Sequence, residues 1–150
     1  MKIRNAFVLA LIITAVVAVT GCGHLMMMHR RDVARPAETE FGTGPRASAS
    51  HQFTATLQPG QPLRPRRMQT VRVAITDAAG TPVDNATIQI DGGMPEHGHG
   101  LPTRPRMTRA LGNGLYEIEG VRFNMGGWWE FKVAVDGAAG ADSVTFNLAL

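Results

Sequence analysis

From residue 51 onward, apolar residues recur at every second position in short runs, and turn residues cut the runs every 8 to 15 positions. A period of two is the alternation of a pleated strand, whose successive side chains face opposite sides. Phe53, Ala55 and Leu57 alternate with Thr54 and Thr56, and Val71, Val73 and Ile75 alternate with Arg72 and Thr76. After a turn at Asp77, Gly80 and Pro82, Ala86, Ile88 and Ile90 alternate with Thr87, Gln89 and Asp91. Met107 marks a short strand before Gly112, Asn113 and Gly114, a hairpin signal. Tyr116 and Ile118 point inward, but Val121 and Phe123 continue that face one residue out of phase, which a bulge at Gly120 repairs. Trp129, Phe131, Val133 and Val135 form the next inward row. Val144, Phe146 and Leu148 form the last, after a Gly- and Ala-rich turn at 136–140. Seven strands without a helix predict an all-β domain over residues 51–150, an immunoglobulin-like antiparallel β-sandwich.

Composition narrows the rest. A chain of 150 residues that is 44% hydrophobic and 18% charged has room for one globular domain, which argues against a two-domain enzyme. Its single cysteine excludes a disulfide framework within the chain and a thiol-based zinc site, since each needs at least two. Only two of the 15 basic residues are lysines, and the net charge of +3 is too small for a nucleic-acid binder.

The first 21 residues have the layout of a secretory signal. Lys2 and Arg4 precede an uncharged run, Ala6 to Val19, rich in Val, Ile, Leu and Ala. As a helix this run spans about 21 Å, short of the roughly 30 Å hydrocarbon core. It ends in Val19, Thr20, Gly21, Cys22, which resembles the lipobox of bacterial lipoproteins. That resemblance implies cleavage before Cys22 and acylation of its thiol. Cleavage removes Lys2 and Arg4 but no acid, leaving a net charge of +1, and export carries the chain away from DNA. The arginine groups then read as solvated surface, with lipid headgroups as the alternative. Gly23 rather than Asp follows the cysteine, which implies outer-membrane sorting if the host is Gram-negative. The expected location is the cell envelope, lipid-anchored and facing the periplasm or exterior.

Residues 22–50 show no sustained period, and Pro36, Gly42, Gly44 and Pro45 interrupt them, so they read as a flexible tether. Within the tether, His24, Met26, Met27, Met28 and His29 form a Met/His cluster beside the anchor. It is either an accessory copper-collecting site or an apolar continuation of the anchor dipping into the bilayer interface.

The chemistry concentrates in two segments. Residues 91–103 form a connection carrying Met94, His97 and His99, with Gly98 and Gly100 freeing the backbone to fold both rings toward one point. Thioether and imidazole donors together suit soft or borderline metals, Cu(I) above all. The plainer alternative is an exposed turn with two incidental histidines. The second segment, 123–131, carries Met125 before the Gly126 and Gly127 break, where it serves as a ligand or as core packing. By parity Trp129 belongs to the core row, whereas Trp128 shares the row of Glu130 and Lys132 and is expected to be free to cover a site.

MPxHxHG at Met94, Pro95, His97, His99 and Gly100, followed by FxMxGW at Phe123, Met125, Gly127 and Trp128, resembles the FixH-like and YtkA-like domains over about residues 52–150. These are small periplasmic β-sandwich proteins associated with copper handling and respiratory oxidase assembly. Members of the FixH type are usually held by a transmembrane helix, where this chain has a lipobox. The resemblance implies a copper site at Met94, His97, His99 and Met125. Serine nucleophiles are confined to Ser48, Ser50 and Ser143, none within a G-x-S-x-G motif, and Glu117 and Glu119 read as a solvated face. The function expected is therefore copper binding without catalysis, with capture of Cu(I) or its delivery to or from a partner protein. The rival is an adhesion or assembly module that presents sandwich loops to a protein.

Overall fold

A computed structural model describes residues 33–150. Nine strands make up almost all of its regular structure: β1 (Arg46–Ala47), β2 (Phe53–Pro59), β3 (Gln69–Asp77), β4 (Thr87–Met94), β5 (His99–Gly100), β6 (Arg106–Gly112), β7 (Leu115–Val121), β8 (Trp128–Gly137) and β9 (Gly140–Ala149). A three-residue 3-10 turn, Glu38–Glu40, precedes them. No helix among the described residues is long and apolar enough to cross a membrane.

All named strand pairs are antiparallel, in the order β1-β2-β3-β7-β6-β4-β8-β9 with β5 added to β4. The ladder folds into a sandwich whose two layers meet at one pair, Gln89 of β4 opposite Arg106 of β6. The expected rows fill the core between the layers. Phe53, Ala55, Leu57, Val71, Val73 and Ile75 from one layer join Ile88, Trp129, Phe131, Val133, Val144 and Phe146 from the other in one buried cluster. The seven expected strands are all present, and the two further strands, β1 and β5, are only two residues each.

Two local features follow from glycine. Gln69 pairs with Val121 but Val71 with Ile118, so two β7 residues oppose one on β3; the bulge falls at Glu119 and Gly120, where Gly120 has φ +80°. Gly112 pairs with Leu115 across Asn113 and Gly114, both at positive φ, the geometry of a two-residue hairpin turn matched to strand twist.

Two expected boundaries and one expected exposure differ in the structure. First, the segment read as tether up to residue 50 joins the sandwich. Phe41 bridges Asn147 of β9, Leu57 N–H donates to Thr43 O, and β1 pairs with β2. Irregular backbone without alternation is held here by partners distant in sequence, which no local pattern reveals. Second, β4 runs on to Met94, so residues 91–94 are strand rather than connection. Third, Glu117 is buried at 5% exposure, although it alternates with the core row, because Arg109 lies over it at 2.6 Å and Arg72 at 3.7 Å. Glu119 is exposed as expected.

The bend that leads into β2 is held by Asp142 of β9. The Ser48 hydroxyl does most to keep its carboxyl below the usual carboxylate range; desolvation, next in size, opposes it, and the backbone N–H groups of Ser143, Ser50 and Gln52 add to the lowering. A depressed carboxylate stabilises the fold above its ordinary pKa, and the contribution is lost as pH falls through the folded value. Urea midpoints of the parent and of Asp142→Asn should therefore differ at neutral pH and converge in acid. A gap independent of pH would contradict this role.

Candidate metal centre

The turn between β4 and β5 is built on one carbonyl. The N–H groups of His97 and Gly98 both donate to Met94 O, at 3.0 and 2.9 Å, and Gly98 takes φ +67°. Met94 then pairs in register with His99 across the turn. This closure places the two imidazoles side by side, with ring centroids 5.9 Å apart and planes 29° from parallel. His97 is exposed and His99 half-buried, with Nδ1 of His99 at 3.3 Å from Gly100 O. A shallow groove of about 240 Å³ adjoins the turn, lined by Met94, Pro95, His99, Glu130 and Lys132 among others.

Trp129 connects this turn to the second segment. Its indole meets His99 edge-on at 5.7 Å and Phe123 at 5.2 Å, and its Nε1 donates to Met125 O at 3.0 Å. A second contact lies at Gly127, which has φ +124°: a Cβ there would sit 2.7 Å from Met94 Cε. Gly127 thus leaves room for the Met94 methyl. The segments 94–99 and 123–127 meet in space, as a shared site requires.

The four expected ligands are not equivalent. His97 and His99 share the turn, whereas Met94 is 1% exposed and packed in the core beneath it, and Met125 is 38% exposed on the neighbouring turn. Among the described residues, no three His, Cys, Asp or Glu side chains converge. The adjoining segments add the thioethers of Met94 and Met125, donors of the kind that suit a soft ion.

Trp128 differs most from expectation. Parity placed it on the outer row, and it is on that row, yet it is 1% exposed. Phe41 packs edge-on against it at 6.4 Å, and its Nε1 donates to Asn147 Oδ1 at 3.0 Å. At Trp128 the outer row is covered by Phe41 of the N-terminal segment, and the indole beside the histidines is that of Trp129. The Trp129 parity marked it as core; nothing local marked its edge as the wall of the site. Cys22 and the cluster His24, Met26, Met27, Met28 and His29 lie outside the described residues.

A family model described as YtkA-like matches residues 47–134. Among solved structures, one described as "ZirS C-terminal Domain" is similar at 13% identity and a TM-score of 0.39, covering 79% of this chain and 80% of that one. No curated protein matches.

Proposed function

The chain belongs to the YtkA-like family, and we propose that it is a copper-binding protein of the cell envelope, anchored through an acylated Cys22 and acting without catalysis. It captures Cu(I) at His97 and His99, with thioether help from Met94 and Met125, and exchanges it with a partner protein. The observation that carries this reading is the stacked histidine pair on a single turn, flanked by two methionine-bearing segments and walled by Trp129. Neutral nitrogen and sulfur donors bind a soft cation without the strong hold of thiolates, which suits a protein that must release its cargo. An indole edge at His99 limits water on one side of the pair.

Titration with Cu(I) against a chromogenic chelator should find about one ion per chain, bound more tightly than Zn(II). The double variant His97→Ala/His99→Ala should lose that binding and keep its β-type circular dichroism, since neither ring belongs to the core cluster. Met125→Leu should weaken binding by about tenfold (~1.4 kcal/mol). A double histidine variant that binds Cu(I) as the parent does would overturn the site.

A further inference from the structure

The loop between β2 and β3, at residues 60–68, carries Arg64, Arg66 and Arg67, all exposed, and ends at Met68. At 63% exposure Met68 is the most open large apolar side chain among the described residues. No acid occurs between Glu40 and Asp77. The ion pairs among the described residues use Arg35, Arg72, Arg109 and Lys132, and none of the loop arginines.

The loop is braced. Gln69 Oε1 accepts from Arg64 N–H at 2.8 Å, and its Nε2 donates to Arg64 O at 3.0 Å. Arg66 takes φ +64° and donates its N–H to Phe123 O at 2.6 Å. Fixed in this way, the loop borders a groove of about 620 Å³ lined by Leu63, Arg64, Arg67 and Met68 among others.

Its place in the fold suggests the occupant. The Arg66 to Phe123 bond and the Gln69 to Val121 pair set the loop at the end of the sandwich that carries residues 123–127, and hence the histidine turn. The described chain also begins at this end, since Arg35 pairs with Glu96 of that turn at 3.8 Å. A highly exposed methionine beside guanidinium groups that form no ion pair among the described residues fits the interface of an anionic bilayer, where the cations meet phosphates and the thioether side chain enters the headgroup layer.

We propose that Arg64, Arg66, Arg67 and Met68 form a docking surface for anionic lipid, which turns the histidine end of the domain toward the membrane. The proposal rests on the envelope anchoring proposed above. Its test uses the full lipoprotein with Met68→Cys carrying an environment-sensitive dye, in phosphatidylcholine vesicles with or without phosphatidylglycerol. Acylation protects Cys22, so a second dye found at Cys22 reports failure of the anchor reading alone. The Cys22→Ser form of the same chain, with added vesicles, then reads the loop.

The dye should shift to the blue only with phosphatidylglycerol, and high salt should reverse the shift. Each arginine near such a surface multiplies association by about fivefold, so Arg64→Gln/Arg66→Gln/Arg67→Gln should lower it by about a hundredfold. A dye that stays in water on anionic vesicles, or that shifts equally in the triple variant, overturns the proposal. Either outcome would leave the arginines to an acidic protein surface.

Discussion

Trp129→Ala is expected to lower the unfolding free energy by about 3–5 kcal/mol, the range for removing a buried tryptophan. The side chain is 0% exposed and packs on Phe123 within the core cluster, so its removal leaves a cavity that neighbouring β-strands cannot easily close. The loss should also reach the metal centre, because the same indole contacts His99 and bonds Met125 O. Urea unfolding followed by circular dichroism measures the first effect, and Cu(I) titration of the still-folded protein measures the second. Trp129→Phe should restore part of the stability by filling volume, but not the bond to Met125 O. A Trp129→Ala variant with parental stability would show that the core described here is wrong.

The second large effect is expected at the neighbouring position, on the opposite face. Trp128→Ala should cost about 3 kcal/mol, near the low end for such a truncation, because its cover is a single chain segment that can settle into the gap. The loss also leaves Asn147 Oδ1 without its indole donor and removes the ring on which Phe41 packs. Tryptic cleavage after Arg46 should then accelerate in the Trp128→Ala variant and much less in Trp129→Ala. Copper affinity should respond in the reverse order. Equal cleavage rates in the parent and Trp128→Ala would mean that Phe41 does not depend on this indole.

These two tryptophans show where sequence reasoning succeeded and where it stopped. Parity assigned both faces correctly, and the same alternation located the strands, the Gly120 bulge and the Asn113 and Gly114 turn. Alternation reports the face a side chain takes, however, and burial depends on what covers that face. For Trp128 the cover is Phe41, 87 positions earlier in an irregular segment, and for Glu117 it is a pair of guanidinium groups from adjacent strands. At the site, the histidine spacing and flanking glycines marked the turn, whereas a site joining the 94–99 and 123–127 segments was implied only by the family resemblance. Met94 was read as part of a connection spanning residues 91–103, which contains Gly92 and Gly93. In the fold they are strand positions paired with Phe131 and Glu130, where the backbone of β8 at Gly92 and that of β5 at Gly93 leave no room for a side chain.

The N-terminal segment bears on how this domain carries mechanical load. Tension applied upstream of Val33 falls first on the exposed Arg35 to Glu96 pair, then on Phe41 against Trp128, and only afterwards on the β1 to β2 ladder. Such contacts give way one after another, as in opening a zipper, rather than together as in shearing two long strands. A steady pull would therefore release the histidine turn from Arg35 at low force while the β-sandwich behind it remained closed.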